Sequence, residues 1–338
     1  MIKFQSNFSH IYLEREVEDL PLSKMILSKF IKSKIIKINH YKDIFNRPRQ
    51  NFQLQKQTMN LILAKKTKPL LYPASDMVQD YKTPNTFYNT PILNCLYNCE
   101  YCFLQGMYSS GNLVVFTNEL DFFDSIDKKL LILDDPSKPM VVSISYNTDL
   151  LAIENIIPLV SRWVDFVRSR KNLIIEIRTK SAFFKSIENL NPAKNIILSW
   201  TLSPEIVCNE YELNTPPLDM RLKAISRAIK AGWNVRLCFD PILLIENWKD
   251  IYFKFFDNVF SEINGNNLRD VTLGFFRMNK DYFNRIRKSG TKSKLFYSNY
   301  FEEDGTLTIK KEMRLSALKE IEDKISCFIA KSKILTWN

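Results

Sequence analysis

From residue 89 onward the chain alternates short β-rich apolar runs with amphipathic stretches of helical length, and this alternation restricts the fold more than any other feature. Strands are predicted at 90–93, 140–146, 173–178, 195–201, 234–240 and 270–276. Between them the periodicity predicts helices at 118–133, 157–169, 182–189, 218–231 and 247–263. In the fourth helix Leu218, Leu222, Ile225 and Ile229 share one face, and Gly232 stands where a C-terminal cap belongs. Six strands separated by helices are the signature of parallel βαβ units, so the expected fold is α/β, a partial (β/α)6 barrel. A doubly wound sheet uses the same units, and periodicity does not separate the two.

The regions on either side read differently. Residues 1–88 form a basic, mixed α/β segment with a helix expected at 21–33, a strand "KIIKI" and an apolar run "NLILA". Residues 89–277 are assigned to the barrel, and 278–338 to a C-terminal hairpin and helix. The hairpin signal is Asp304-Gly305 within "YFEEDGTLTI", and the helix is expected at 310–327.

A chain of 338 residues with 45% hydrophobic content can bury a large core. The start, "MIKFQSNFSH", lacks the apolar core of a secretory signal, and no apolar run approaches the roughly 18 residues of a bilayer span. A cytoplasmic, reducing setting without membrane attachment is expected, in which disulfides are not the use of the cysteines. The net charge of +11 favours an anionic partner such as nucleic acid, although the Lys, Asn and Ile richness of the chain is also a compositional bias. With only seven glycines, no glycine-rich phosphate loop is available.

The chemistry is concentrated in "NCLYNCEYCFLQGMY", residues 94–108. Cys95, Cys99 and Cys102 form a C-x3-C-x2-C triplet on the loop after the first predicted strand, and three thiolates on one loop suit zinc or an iron–sulfur cluster. Structural zinc needs a fourth ligand. Cys208, Cys238 and Cys327 are isolated, and His10 and His40 are distant in sequence, so the triplet points to a [4Fe–4S] cluster with one open iron. That is the arrangement of radical S-adenosylmethionine enzymes, in which the open iron chelates S-adenosyl-L-methionine. The loop follows a strand end, where barrel enzymes place their sites.

An ordered series of further motifs resembles the spore photoproduct lyase family of radical S-adenosylmethionine DNA-repair enzymes. The resemblance is carried by "YLEREVEDLPLSK", "CLYNCEYCFLQGMY", "YNTDLLAIEN", "RTKSAFF", "LSWTLSPEIV", "YELNTPPLDMRLKAISRAIKAGWNV" and "DPILLIENW". It implies a lyase that opens the cross-link between adjacent thymines in ultraviolet-damaged DNA by means of a 5'-deoxyadenosyl radical. It also implies a low-potential electron donor such as flavodoxin or ferredoxin. Cys95, Cys99 and Cys102 would hold the cluster, Thr148, Lys180 and Ser199 would contact the cofactor, and Tyr101 would take part in a hydrogen relay. Thr148, Lys180 and Ser199 each stand at or near a predicted strand end, where a lysine suits the cofactor carboxylate and hydroxyls suit its polar groups.

Two positions depart from the family. Tyr146 replaces the cysteine that returns hydrogen to the product radical, and Phe103 replaces a tyrosine of the relay. Three readings follow: Tyr146 donates, Cys238 donates from the face it shares with Arg236 and Asp240, or the reaction needs no thiol because its substrate is not a photolesion. A fourth reading is a non-enzymatic nucleic-acid-binding protein with a structural metal. On the substrate side, a basic stretch includes Arg277, Lys280 and Arg285 with Phe275, Phe276, Tyr282 and Phe283 interleaved, and suits a DNA backbone. In the family a hairpin in this region intrudes at the lesion, whereas the tip here, "EEDGTLT", is acidic.

Overall fold

The structure is a computed structural model that describes residues 8–74 and 83–337. Two sheets organise it. The smaller has the order Lys34–Ile38, His10–Glu14, Leu61–Ala64, Leu113–Phe116, Ile92–Leu93, with all pairs parallel except the last. Leu61–Ala64 and Leu113–Phe116, the third and fourth strands in that order, are buried along their whole length, as continuous apolar runs require.

The larger sheet has eight strands in the order Ile334–Thr336, Asp270–Phe275, Asn234–Ile242, Ile196–Thr201, Leu173–Thr179, Met140–Ser143, Thr86–Tyr88, Tyr72–Pro73. From Thr86 to Phe275 six parallel strands lie side by side in the order of the chain. A doubly wound sheet reverses direction at a switch point, and this one does not. The sheet is therefore a singly wound partial barrel, with the C-terminal ends of these six strands on the same face; the edge strand Tyr72–Pro73 runs antiparallel to Thr86–Tyr88.

Five of the six expected strands are found within a few residues of their predicted places. The first is different. The run at 90–93 shrinks to Ile92–Leu93 and pairs antiparallel with Leu113–Phe116 in the smaller sheet, while Thr86–Tyr88 takes the barrel position beside Met140–Ser143. Pro91 has no N–H for a ladder, so the extended chain breaks there and changes sheets.

The helix expected at 182–189 is reduced to one 3-10 turn, Phe184–Ser186. Ser181 Oγ accepts from Phe183 N at 3.0 Å and Ser186 Oγ donates to Phe183 O at 2.8 Å, local bonds that compete with a helical ladder. The other four helices are Glu119–Leu130, Val160–Val167, Leu218–Lys230 and Trp248–Glu262.

The barrel interior is ionic. Ser199 Oγ donates to Glu176 Oε1 at 2.9 Å, Arg236 reaches the same oxygen at 3.4 Å, and Arg236 forms two bonds to Asp270 at 2.5 and 2.8 Å. Arg236 is 1% exposed, so these carboxylates are what make a guanidinium tolerable there. Towards the C-terminus, Arg277–Asn279 pairs with Thr306–Thr308, which pairs with Phe301–Glu303. Asp304 and Gly305 at the tip have φ of 47° and 75°, the left-handed values that a two-residue hairpin turn of this kind needs. The helix Lys311–Ile325 follows.

Candidate functional site

At the C-terminal face of the barrel strands lies a cavity of about 410 Å³. Its floor is the cysteine loop: Cys95, Tyr97, Cys99, Tyr101 and Cys102. Asn94 starts this loop in the left-handed region at φ 71°, which asparagine tolerates, and its side-chain amide donates to Ser110 O and Asn112 O, both at 2.7 Å. Asn98–Cys99 then pairs antiparallel with Glu212–Leu213, which fixes the middle of the loop. The helix Leu104–Met107 ends it.

All three cysteines are free thiols, and burial raises the pKa of each, Cys95 to about 12. Two ammonium groups face them. Lys56, 6% exposed, donates to the Cys95 carbonyl and lies 3.6 Å from Met59 Sδ. Lys180 lines the cavity and lies over the Tyr101 ring at 5.3 Å. Burial by itself would depress Lys180, but Cys99 and Glu212 more than offset it and raise its pKa. Three soft donors on one cavity wall beside two cations fit a group that carries thiolate charge. Among the described residues no three His, Cys, Asp or Glu side chains are arranged to hold a single metal ion.

The upper wall comes from the strand ends. Ser145 Oγ accepts from Arg178 N at 2.6 Å in place of a ladder carbonyl, and the chain from Tyr146 to Thr148 turns over the sheet. Thr148 therefore lines the cavity beside Asp149. Asp149 caps the helix Leu150–Ile153 through Ala152 N at 3.0 Å, and also accepts from Thr179 Oγ1 and Lys180 N, both at 2.7 Å. It thereby ties the loop after one strand to the loop after the next. Burial raises its pKa, against those three bonds.

Of the residues singled out from the sequence, Cys95, Cys99, Cys102, Tyr101, Tyr146, Thr148, Lys180 and Arg277 share the cavity wall. Ser199 and Cys238 lie one layer lower, each with no exposed surface, in the barrel interior. Ser199 bonds Glu176, which lines the wall, whereas burial pushes the Cys238 thiol pKa up and keeps it away from the cavity. Arg236, Cys238 and Asp240 do share a face, with Asp240 alone at the cavity. Phe103 lies against Tyr146 with ring centroids 5.6 Å apart.

The basic residues have structural partners. Arg277 holds Asp240 at 2.8 and 3.3 Å, and Arg178 lies 3.6 Å from the same carboxylate. Burial would raise Asp240, but the two guanidinium groups pull its pKa below the usual carboxylate range. Lys280 bonds Glu302 at 2.5 Å, and Arg314 bonds Glu303 at 2.9 Å. Two of the hairpin's acids, Glu302 and Glu303, are thus paired within the C-terminal tail. Arg285 lies further out and donates to Gly106 O at 3.3 Å.

The sequence reading missed a fully buried network behind Tyr101. The Tyr101 hydroxyl donates to Glu212, Arg221 Nη2 bonds Glu212 Oε2 at 2.5 Å, and Ser203 and Thr215 complete the set. Burial acts to raise Glu212, yet Arg221 and Lys180 bring its pKa below the usual range. Its only trace in the sequence is an acid and a base nine residues apart in "YELNTPPLDMR", which periodicity alone does not connect.

With this geometry in view, the family model for spore photoproduct lyase matches residues 6–304. A spore photoproduct lyase of Bacillus subtilis (strain 168) is 22% identical over 294 residues, covering 84% of this chain and 83% of that one. Another, of Geobacillus sp. (strain Y412MC61), is 23% identical over 200 residues, and the alignment spans 57% of each. A solved spore photoproduct lyase double mutant with bound AdoMet and dinucleoside spore photoproduct superposes with a TM-score of 0.83 at 18% identity, covering 98% of both chains. A second spore photoproduct lyase structure, complexed with dinucleoside spore photoproduct, gives 0.83 at 17% identity and the same coverage. With the family model matching from residue 6 to residue 304, the chain belongs to the spore photoproduct lyase family and has its radical S-adenosylmethionine fold.

Proposed function

We propose that the chain is a lyase that reverses thymine photolesions in DNA, using S-adenosyl-L-methionine held on a [4Fe–4S] cluster. The observation that carries this reading is the meeting of three thiols, Cys99 buried and Cys95 and Cys102 half-buried, with the Lys180 ammonium and the Thr148–Asp149 corner on one cavity wall at the barrel's C-terminal face. When bound, cluster and cofactor supply a hydrogen-abstracting adenosyl radical. Cys95, Cys99 and Cys102 hold the cluster. Lys180 neutralises the cofactor carboxylate, and Thr148 offers it a hydroxyl. Ser199 acts one layer back, by orienting Glu176 at 2.9 Å.

The substrate is ultraviolet-damaged DNA, whose lesion must leave the stack to enter the cavity. Arg277 lies at the cavity and Arg285 lines the next groove, where both suit phosphate, and Lys280 joins them when released from Glu302. A low-potential donor of the flavodoxin or ferredoxin class supplies electrons. Among the described residues no helix is long and apolar enough to cross a membrane. A reducing cytosol suits the three free thiols. The three-part division at 88 and 277 goes with this reading: a mixed segment that carries Lys56 to the cluster loop, the barrel, and a tail that shapes the substrate side.

The test is anaerobic reconstitution followed by incubation with reductant, cofactor and a photoproduct-containing oligonucleotide. About four irons per chain and restored thymine are expected. A single zinc, or cofactor cleavage without thymine, overturns the reading. Cys99→Ala should abolish cofactor cleavage.

A further inference from the structure

Among the described residues, the Tyr146 ring meets one aromatic ring without a transferable hydrogen, Phe103, and one with it, Tyr88. On one side it meets Phe103, the residue after Cys102, at 5.6 Å, while the Tyr101 hydroxyl on the same cavity wall is bound to Glu212 in the buried network. On the other side its ring lies 4.5 Å from Tyr88 at 32°, and Tyr88 stacks on Tyr72 at 5.1 Å and 18°. Tyr146 and Tyr88 both line the cavity that holds the three cysteines. Burial raises the pKa of both, so each keeps its O–H. The Lys66 ammonium lies over the Tyr72 ring at 5.5 Å, and a cation on a ring face opposes removal of an electron from that ring. The stack therefore favours an unpaired electron on the Tyr146–Tyr88 pair and stops it at Tyr72.

We propose that Tyr146 and Tyr88 are the hydrogen donors that end the reaction, acting in series away from the cluster, and that S-adenosyl-L-methionine is consumed once per lesion instead of being regenerated. This rests on the photolesion reading. The product radical carbon takes the hydrogen atom of the Tyr146 hydroxyl: a C–H bond forms, the O–H bond breaks, and a neutral phenoxyl remains. Tyr88 gives its hydroxyl hydrogen to that phenoxyl, restoring Tyr146. The Tyr88 phenoxyl then takes one electron from the flavodoxin- or ferredoxin-class donor and one proton from water. Each lesion thus uses two electrons, one to cleave the cofactor and one to restore Tyr88, and releases one methionine and one 5'-deoxyadenosine. Phe103 is the reason the hydrogen does not return inward, since it has no O–H to pass on.

The test uses the cluster-loaded full chain with a photoproduct-containing oligonucleotide in D2O. The wild type should release about one 5'-deoxyadenosine per lesion, place one solvent deuterium in each repaired thymine pair, and show a freeze-quenched tyrosyl electron paramagnetic resonance signal that changes with ring-deuterated tyrosine. Tyr88→Phe keeps the ring stack; it should confine that signal to Tyr146 and slow turnovers after the first by tenfold or more. Phe103→Tyr should lower the deoxyadenosine-to-lesion ratio well below one by restoring an inward phenol. A wild-type ratio far below one, or a Tyr88→Phe protein with unchanged signal and turnover, overturns the proposal while leaving the photolesion reading in place. Absence of any deoxyadenosine with damaged DNA overturns that reading and this proposal with it.

Discussion

Arg221 shows what a single side chain does for this site. It is fully buried, and its guanidinium serves Glu212, Thr215 and the Pro216 carbonyl at 2.5, 2.7 and 2.8 Å. Glu212 in turn receives the Tyr101 hydroxyl and, through its backbone, pairs with Cys99. Replacing Arg221 by Met leaves a carboxylate with no exposed side-chain surface without its guanidinium partner, which costs about 3–5 kcal/mol. Urea unfolding should show that loss. Arg221→Met with Glu212→Gln should recover part of it, because the double variant removes the carboxylate charge together with its guanidinium partner; equal loss in both would show that packing, not charge, is at stake. None of this is legible from residue types alone. The cysteine triplet announces itself by spacing, whereas the partner of Tyr101 lies 111 residues away and is joined to it only by the fold.

Between elements, the helices Leu104–Met107 and Lys280–Lys288 come close together at Gly106. A Cβ at Gly106 would run into the Tyr282 backbone, with its Cα only 2.6 Å away. The tail therefore seats directly on the end of the cysteine loop, and Tyr282 reaches the cavity wall. Gly106→Ala should force the two helices apart at a cost of about 1–3 kcal/mol, visible as faster amide exchange in residues 280–288 than in the barrel strands. The hairpin offers a second test. Glu302 occupies Lys280, so Glu302→Gln should free that ammonium for phosphate and steepen the salt dependence of binding to damaged DNA by about 0.9 in log–log slope. An unchanged slope would remove Lys280 from the DNA-binding surface. At this scale the sequence reads well where turn chemistry and periodicity agree, as at Asp304-Gly305 and 218–230. It reads badly at 90–93 and 182–189, where a proline and side-chain hydroxyls override apolar pattern.

For the molecule as a whole, the barrel is held by charge along its axis as well as by apolar packing. Glu176, Arg236 and Asp270 fill the interior, and Asp240 with Arg178 and Arg277 closes it at the cavity. Gly274 makes room for that closure, since a Cβ there would lie 2.9 Å from the Arg277 guanidinium and 3.0 Å from the Asp240 carboxylate. Asp240 has a pKa below the ordinary value of about 3.9 in the folded chain, because the two guanidinium groups outweigh its burial. The unfolded chain thus binds this proton first as pH falls, and stability decreases with falling pH at up to about 1.4 kcal/mol per pH unit. The contribution is fully present above about pH 5 and is lost from about pH 4 downward, through the folded-state value. Urea midpoints should therefore be level between pH 7 and 5 in respect of this group and fall below pH 4. Asp240→Asn should be less stable at pH 7, with two guanidinium groups left facing an amide, yet have a shallower acid limb. Parallel acid limbs in the two proteins would mean that Asp240 does not hold the barrel mouth closed.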